Sequence, residues 1–513
     1  MEHFLLEDES NPDRVVRLPI RPGLTLAQHL YLAGALRRRA LCSGAGRCGL
    51  CRTLFSKEAP SILPEETAIL SPGLLEKGWR LSCRRQPAPG MVVRARIPET
   101  PGSPAPLPEV CPGAILGIDL GTTSMQWRFA HGGMRLSGGG MNPQLAAGSE
   151  VMSRLALAAS PEGAATLRRD VADAVRGILA GLPCLPGSIC MAGNTCMTYL
   201  ALGLGVSGLS AAPYRMDWPG GDFALLDAGL PEVYIPPLLA PFVGGDVSAG
   251  LAALAFRPDP PEPPCLLADL GTNGEFALVL PGGGVLVASV PMGPALEGVG
   301  MAHGMIAGPG AAVAFQASPA GIAAERFGGG GEPLRGISGT GYVSLAALLV
   351  SLGAMDETGR FRARTGSPLA ARVLGALRNE AGEPCLEVEG ARLLASDVET
   401  LLKVKAAYCS AARILLDEAG LGFRDLSAVL LAGALGEHVK PSDLEVLGFF
   451  PPGGAARVRP VGNISLEGAC LAAAGRDVRE WLSGLTARTR LVEVVSRPGF
   501  QKMFIESMRF THV

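Results

Sequence analysis

The sequence has few aromatic residues and no long run of consecutive apolar ones. Aromatic residues make up 5% and charged residues 18% of its 513 residues. A membrane-spanning helix needs about 20 consecutive, mostly apolar residues, and no run here supplies them. The mean hydropathy of +0.29 reflects abundant alanine, glycine and leucine instead. We therefore expect no membrane partner.

The chain also lacks an excess of charge of either sign. Its formal net charge is only -2, which argues against a whole-chain nucleic-acid binder. The first ten residues, MEHFLLEDES, carry acids where a secretory signal would carry basic residues. These features predict a cytoplasmic protein with large cores and no nucleic-acid partner.

Cysteine is too sparse for a disulfide scaffold, with twelve in the whole chain. Four of the twelve fall in the first sixth of the sequence. The remaining eight stand singly among apolar neighbours and are expected to be small buried hydrophobic residues. These eight are Cys111, Cys184, Cys190, Cys196, Cys265, Cys385, Cys409 and Cys470.

The four early cysteines are spaced as ligands of a metal–sulfur cluster. The loop CSGAGRCGLC places Cys42, Cys48 and Cys51 within ten residues, and Cys83 follows after 31 more. A loop around a cluster needs backbone angles that mostly glycine tolerates, and its N–H groups stabilise the negative cluster. The Cys-x5-Cys-x2-Cys spacing resembles the longer-loop variant of [2Fe–2S] ferredoxins. Structural zinc and unliganded thiols are the alternatives.

The local pattern around these cysteines predicts the fold of the first domain. We expect strands at His3–Glu7 and Arg14–Leu18, a helix over Thr25–Leu36, and a further strand at Arg52–Phe55. Two strands, a helix, a cysteine loop and more strands follow the order of a β-grasp ferredoxin.

The rest of the chain alternates helical and strand-like segments, which predicts an α/β architecture. A stretch with six prolines in fifteen residues, Pro98 to Pro112, is typical of a stiff linker. The predicted boundaries are a ferredoxin-like domain at 1–96, a linker at 97–113, two α/β subdomains at 114–255 and 256–475, and a C-terminal extension at 476–513.

An internal repeat predicts a duplicated fold in this second part. The segment IDLGTT, which begins at Ile118, recurs 150 residues later as ADLGTN. Each copy follows an apolar strand and precedes another strand-like run. A unit this long suggests two related domains that face each other.

The repeated hairpin is suited to bind a phosphate chain. Glycine lets the turn close tightly, so that successive N–H groups and a threonine hydroxyl point at phosphate oxygens, while the aspartate can hold Mg²⁺. We expect Asp119 and Asp269 to position Mg²⁺. The predicted phosphate-binding residues are Gly121, Thr122, Thr123, Gly271, Thr272 and Asn273. Glu275 and Glu297 are weaker candidates.

The two hairpins resemble the phosphate motifs of the actin, sugar kinase and heat-shock chaperone superfamily of ATPases. The segment VLLAGALGEH, at 429–438, resembles its adenosine motif, with glycines Gly433 and Gly436. The segment FVGGDVSAG, at 242–250, and the pair Gly468-Ala469 resemble its connecting motifs. The resemblance implies a duplicated actin-like (ribonuclease H-like) fold that binds ATP. Asp246 is the candidate for orienting the attacking water.

A ferredoxin domain joined to this ATPase resembles the reductive activators of corrinoid proteins. Shared phrases are Asn142-Pro143-Gln144, Gly193-Asn194-Thr195, the segment GPALEG at 293–298, and Gly462-Asn463. The resemblance implies ATP-dependent reduction of Co(II) to Co(I) on the corrinoid protein of a methyltransferase system. It also implies a low-potential electron donor and leaves a homodimer open. The chain departs from the family at Tyr199, where a histidine is expected, and at Ser338, near an expected cysteine.

Three other functions fit parts of the sequence. A redox-regulated small-molecule kinase would use the same ATPase fold, with the cluster as a sensor. A chaperone-like module would leave the four clustered cysteines unused. An ATP-driven activator of another metalloenzyme would use both parts in the same way as the corrinoid activator.

Overall fold

The computed structural model describes residues 2–37, 44, 46, 49–97, 106–148, 150–318, 321–329, 333–380, 382–433 and 439–512. The chain divides into two compact units. Unit 1 comprises residues 1–246 and 469–479, and unit 2 comprises residues 247–468 and 480–513. The ferredoxin-like residues and the first half of the predicted ATPase therefore belong to one unit.

Strands and helices alternate along most of the chain. The strands are β1 (His3–Asp8), β2 (Val15–Pro19), β3 (Arg52–Phe55), β4 (Trp79–Leu81), β5 (Val92–Ala95), β6 (Val110–Leu120), β7 (Ser124–His131), β8 (Met134–Met141), β9 (Leu185–Gly193), β10 (Asp222–Ala224), β11 (Val233–Ile235), β12 (Cys265–Leu270), β13 (Asn273–Val279), β14 (Val285–Pro291), β15 (Ala311–Ser318), β16 (Gly321–Arg326), β17 (Gly336–Ile337), β18 (Leu377–Glu380), β19 (Glu383–Val388), β20 (Ala391–Leu394), β21 (Ala428–Gly433), β22 (Val458–Gly462) and β23 (Thr489–Leu491). The helices are α1 (Leu26–Leu32), α2 (Pro64–Ile69), α3 (Pro72–Glu76), α4 (Val151–Ala158), α5 (Pro161–Ala180), α6 (Thr195–Leu202), α7 (Ser207–Ser210), α8 (Gly245–Ala255), α9 (Gly339–Ser351), α10 (Pro368–Gly375), α11 (Ala395–Ala419), α12 (Pro441–Val446), α13 (Ile464–Ala474), α14 (Arg476–Ser483) and α15 (Phe500–Ser507).

The described residues between His3 and Ala95 contribute a five-stranded sheet in the order β2-β1-β5-β3-β4. Strand β1 pairs antiparallel with β2 and parallel with β5, as in a β-grasp domain. Alternating burial in β1 places Phe4 and Leu6 in the core. The predicted early strands are confirmed within one residue. Helix α1 begins as expected after Thr25, whose hydroxyl accepts the Gln28 N–H, but it ends at Leu32 rather than Leu36.

The early end of α1 has a local cause. Gly34 adopts φ +85°, a left-handed conformation that glycine tolerates better than other residues and that often ends a helix. The Gly34 N–H then bonds the carbonyl of Tyr31 at 2.8 Å. The chain therefore leaves the helix before the cysteine loop begins.

Two six-stranded sheets confirm the duplication that the repeat predicts. Their orders are β10-β11-β9-β6-β7-β8 in unit 1 and β22-β21-β12-β13-β14-β23 in unit 2. In each, a central strand (β6 or β12) pairs antiparallel with the next strand and parallel with a later one (β9 or β21). Each repeated Asp-Leu-Gly-Thr hairpin joins the central strand to its antiparallel neighbour. The two hairpins therefore occupy equivalent positions in the two sheets.

Strand β6 begins inside the segment predicted to be a linker. Val110 already pairs with Leu185 of β9, although the pairing shifts register between Cys111 and Ile115. The sequence pattern did not predict this early start because Pro112 and Gly113 interrupt the apolar run. The proline-rich segment therefore passes directly into the central strand of the unit 1 sheet.

Among the residues that the structure describes, no helix is long and apolar enough to cross a membrane. The longest helix, α11, has 25 residues and includes the buried but charged Lys405 and Asp397.

Replacing Gly468 by alanine is expected to destabilise unit 2. Gly468 lies in α13, and a Cβ there would stand 1.8 Å from the Ala249 carbonyl oxygen of α8. Overpacking of this kind costs about 1–3 kcal/mol. Gly177→Ala in α5 is the control because nothing lies within 4 Å of its Cβ position, and it should stabilise by about 0.4–1 kcal/mol. Thermal unfolding followed by circular dichroism measures both changes. Equal thermal unfolding midpoints for the two variants would contradict the close contact between α13 and α8.

Candidate functional site

The two described cluster cysteines lie at the same end of a strand pair. Cys51 directly precedes β3, and Cys83 lies in a short 3-10 helix, Ser82–Arg84, directly after β4. Strands β3 and β4 are antiparallel, with Arg52 opposite Leu81. Both cysteines are buried. The Ser82 hydroxyl donates to the Cys51 carbonyl at 2.6 Å, which ties the two segments together. The other two predicted ligands, Cys42 and Cys48, lie outside the described residues.

The described part of the cysteine loop fits a wrapped metal–sulfur cluster. Gly44, Gly46 and Gly49 have φ values of +85°, +71° and +66°. These left-handed conformations favour glycine, as the sequence pattern predicts. The Arg84 guanidinium donates to the Gly44 carbonyl at 3.3 Å, so the loop runs beside the Cys83 segment. The backbone and the thiol donors present therefore suit an iron–sulfur group.

A buried carboxylate fixes the segment that carries Cys83. Glu66 of α2 is fully buried and accepts the Leu81 N–H at 2.9 Å and the Leu63 N–H at 2.8 Å. The Arg85 guanidinium donates to the same carboxylate at 2.5 Å. These bonds hold the residues on both sides of Cys83. The sequence offered no local signal for this role because the partners are 15 and 19 residues away.

The carbonyl groups of the first phosphate hairpin are tied back into unit 1. The Asn142 amide donates to the Gly121 carbonyl, and the Arg154 guanidinium donates to the Thr122 carbonyl, both at 2.6 Å. The Asn142 N–H donates to the Thr123 carbonyl at 2.8 Å. Arg154 is completely buried. Asn142 belongs to the Asn142-Pro143-Gln144 segment that resembles the family, whereas nothing in the sequence around Arg154 indicated its contact with the hairpin.

This arrangement directs the hairpin N–H groups away from Asn142 and Arg154. In a trans peptide the N–H points opposite to the preceding carbonyl. Because the Gly121 and Thr122 carbonyls face Asn142 and Arg154, the N–H groups of Thr122 and Thr123 face the other way. Successive N–H groups that point the same way can form an anion-binding turn. Asp119, at the end of β6, lies in the strand that leads into this turn.

The second hairpin is closed by a carboxylate. Its turn is held by the Gly271 N–H, which donates to the Asn273 carbonyl at 3.0 Å. Glu297 Oε1 accepts the Thr272 N–H at 2.8 Å and the Thr272 hydroxyl at 3.0 Å. A phosphate oxygen would use the same two donors. The weaker sequence candidate Glu297 is therefore part of this hairpin, whereas Glu275 lies opposite Asp269 in the strand ladder.

Gly433, which belongs to the predicted adenosine motif, packs against Asp269, the residue predicted to position Mg²⁺. Gly433 ends β21, parallel to β12, and pairs with Leu270. It has φ +72°, and a Cβ there would stand 2.3 Å from Asp269 Oδ1. Only glycine admits the Asp269 carboxylate this close to the turn. Gly436, the other predicted adenosine residue, lies outside the described residues.

Asp246 lies near the start of α8, beside the Gly193-Asn194-Thr195 phrase. The Asn194 amide donates to the Phe242 carbonyl at 3.0 Å. A Cβ on Gly244 would stand 2.3 Å from the Thr195 nitrogen, so the two segments are in close contact. The structure thus brings together two motifs that the sequence separates by about fifty residues.

The two departures from the family pattern have structural roles here. The Tyr199 hydroxyl donates to the Trp218 carbonyl at 2.9 Å and accepts the Trp218 N–H at 2.7 Å. Ser338 caps α9, where its hydroxyl accepts the Gly341 N–H at 3.1 Å. Both residues are buried and hydrogen-bonded within their own units.

A buried polar contact joins the ferredoxin-like domain to the first ATPase half. The Tyr31 hydroxyl of α1 donates to the Asp170 carboxylate of α5 at 2.5 Å. The Arg37 guanidinium lies 3.4 Å from the same carboxylate. Burial raises the pKa of Asp170, and the Arg37 charge opposes that rise. Burial and the Asp170 charge raise the pKa of the Tyr31 hydroxyl, so it stays a proton donor.

Comparisons with known proteins agree on one family. Residues 115–258 match the family model described as the RACo middle region. Residues 263–513 match the model described as the C-terminal domain of RACo, the ASKHA domain. The corrinoid activation enzyme RamQ of Eubacterium limosum is 27% identical over 428 residues, which cover 77% of this chain and 70% of that protein.

Two further matches point the same way. A Co(II) methylated amine-specific corrinoid protein reductase of Methanosarcina barkeri is 28% identical over 257 residues, which cover 46% of this chain and 43% of that protein. The solved structure of a reductive activator for corrinoid, iron–sulfur protein aligns with 100% of this chain and 99% of its own length. Its TM-score is 0.67 at 20% identity, which shows a shared fold.

Removal of the Glu66 carboxylate is expected to destabilise the cluster domain. Glu66→Ala removes the acceptor of the Leu81 N–H and the carboxylate that pairs with the partly buried Arg85 guanidinium, which costs about 3–5 kcal/mol. Glu65→Ala is the matched control because its ion pair with Arg84 has side chains 39% and 40% exposed, and its loss costs at most about 1 kcal/mol. Thermal loss of visible cluster absorbance reports both variants. Equal stability of the two would show that Glu66 does not hold the Cys83 segment.

Tyr31→Phe is expected to weaken the junction between the ferredoxin-like domain and the first ATPase half. The variant removes the hydroxyl donor and leaves the buried Asp170 carboxylate with one partner fewer, which costs about 1–3 kcal/mol. Tyr214→Phe is the control because Tyr214 is 40% exposed. Denaturant unfolding of the full chain measures the loss. An unchanged unfolding midpoint for Tyr31→Phe would mean that the hydroxyl contributes nothing to this junction.

Proposed function

Because the chain belongs to the family of reductive activators of corrinoid proteins, we propose that it uses ATP to reduce a Co(II) corrinoid to Co(I). The observation that carries this proposal is the presence of both parts in one chain, a cysteine-bearing β-grasp domain and a duplicated pair of phosphate hairpins. The corrinoid arrives on a partner protein that belongs to a methyltransferase system. A low-potential donor supplies the electron.

The cysteine loop is proposed to hold a [2Fe–2S] cluster through Cys42, Cys48, Cys51 and Cys83. When bound, such a cluster supplies a one-electron carrier. The Ser82–Cys51 hydrogen bond and the buried Glu66 keep the two described ligand segments fixed. The left-handed glycines let the loop turn around the site without side-chain clashes. Burial of Cys51 and Cys83 limits contact of their sulfur atoms with water.

Each hairpin is proposed to bind phosphate oxygens of ATP. In the first, the N–H groups of Thr122 and Thr123 donate to a phosphate, while Asn142 and Arg154 hold the carbonyls of the turn. Asp119 and Asp269, at the ends of equivalent strands, position Mg²⁺ directly or through water. Glycine at 433 leaves room for the Asp269 carboxylate.

Nucleotide binding at the second hairpin is proposed to displace Glu297. Its carboxylate accepts from the N–H and the hydroxyl of Thr272, and a phosphate oxygen needs the same donors. Two anions do not share one pair of donors at low cost. Glu297 would therefore move away when ATP binds, which links occupancy of the hairpin to the segment at 294–297. Asp246 remains the candidate that orients the attacking water.

Reduction to Co(I) requires energy that ordinary cellular donors do not supply. For a one-electron couple, each 59 mV corresponds to about a tenfold change in the equilibrium. A conformation favoured by ATP can bind the corrinoid protein in a state that is easier to reduce, since a ligand shifts an equilibrium by its differential affinity. The names of the curated relatives favour this coupling over a small-molecule kinase or a chaperone-like module.

Asp269→Ala is expected to abolish Mg-ATP hydrolysis and leave the visible spectrum of the cluster unchanged. The variant removes the carboxylate proposed to position Mg²⁺ in unit 2, whereas the cluster cysteines belong to unit 1. Phosphate release from the purified, oxygen-protected full chain and its absorption spectrum are measured together. Asp259→Ala, an exposed loop variant in the same unit, is the control and should keep both properties. Hydrolysis of Mg-ATP by Asp269→Ala at the rate of the unchanged protein would contradict the assignment of this nucleotide site.

A further inference from the structure

Three side chains of metal-ligating types lie together in unit 1, at the end of β6 opposite the first phosphate hairpin. They are Cys111 near the start of β6, His131 at the end of β7, and Cys184 just before β9. The two sulfur atoms and an imidazole nitrogen all lie within 4.8 Å of one another. Cys184 is buried and Cys111 is partly buried, whereas His131 reaches solvent.

The sheet topology explains why residues so far apart in sequence meet. Strand β6 lies between β7 and β9, antiparallel to the first and parallel to the second. One end of the sheet therefore holds the start of β6, the end of β7 and the start of β9. Cys111 pairs with Pro186, two residues after Cys184, and His131 is the last paired residue of β7. The phosphate hairpin leaves the opposite end of β6.

The donor set selects for a particular class of ion. Two thiolates and an imidazole are soft or intermediate ligands that suit Zn²⁺, whereas Mg²⁺ and Ca²⁺ require oxygen ligands. In a tetrahedral zinc site with Zn–S bonds of about 2.3 Å, two sulfur ligands stand about 3.8 Å apart. The three donor atoms lie within 4.8 Å of one another, so a small side-chain adjustment reaches that spacing. Solvent at the His131 side can supply a fourth ligand.

We propose that Cys111, His131 and Cys184 form a zinc site. Binding of Zn²⁺ replaces the two thiol protons, which are released to solvent, and no electron is transferred. The bound ion links the first residues of β6 to both neighbouring strands. The zinc site lies where the β6–β9 pairing shifts register between Cys111 and Ile115, directly after the proline-rich segment. Zinc thus fixes the point at which the chain enters the first ATPase sheet.

The sequence alone does not indicate this metal site because no two of its three proposed ligands lie in one motif. Single cysteines among apolar residues are usually small buried hydrophobic residues, which is what the pattern predicts for Cys111 and Cys184. Their separation by more than seventy residues hides the site. The order of three adjacent strands, which only the fold supplies, brings them together.

Metal analysis of the full chain tests the proposal. The protein is purified without oxygen, incubated with zinc chloride, desalted and assayed for zinc and iron. We expect a stoichiometric amount of zinc besides iron, and zinc X-ray absorption with sulfur at about 2.3 Å and nitrogen at about 2.0 Å. Cys184→Ser and His131→Ala should each lose this zinc and keep the iron and the visible spectrum. Cys265→Ser, a buried cysteine of unit 2, is the control and should keep both metals.

Three results would overturn the site. They are wild-type protein that retains no zinc, zinc that persists in both Cys184→Ser and His131→Ala, and a Cys111–Cys184 disulfide in the oxygen-protected protein. His131→Ala changes a residue at an exposed hairpin end, so its result stands even where the buried Cys184→Ser fails to fold. Cys51→Ser separates this zinc from metal in the cysteine loop, because it should lose iron and keep the zinc.

Discussion

The contact between helices α1 and α5 determines how the two chemical parts of unit 1 are related. Tyr31 and Arg37 meet Asp170 in a buried polar contact, and hydrophobic residues around it belong to one continuous core. That core runs from Phe4 in the first strand to Leu238. The ferredoxin-like domain is therefore built into unit 1 rather than attached by the proline-rich segment alone.

The two phosphate hairpins use the same sequence pattern in different surroundings. The first has its carbonyls bound by Asn142 and the buried Arg154, which makes it a rigid turn before any ligand binds. The second has a main-chain donor of its own bound by Glu297, which a phosphate would have to replace in the proposed function. This asymmetry gives one hairpin the character of a preformed anion site and the other that of a nucleotide-responsive one. A duplicated fold can diverge in this way because the hairpin itself depends only on a few local residues.

Local patterns in the sequence predicted the elements whose causes are local. The Thr25 cap, the early strands and both hairpins follow from neighbouring residues, and the structure has them where the sequence indicates. The end of α1 was misplaced because the left-handed Gly34 overrides the apolar spacing beyond it. Arg154 and Glu66 were missed because their partners lie far along the chain. The cluster of Cys111, His131 and Cys184 depends on strand order, which periodicity does not encode.

The central claim is that one chain couples ATP to electron delivery to cobalt. It is tested most directly by mixing the oxygen-protected protein with a Co(II) corrinoid protein and a low-potential reductant, with and without Mg-ATP. The account predicts that Co(I) absorbance grows only when Mg-ATP is present. Growth at the same rate and to the same extent without nucleotide would contradict it, as would no Co(I) under either condition from protein that contains iron and hydrolyses ATP.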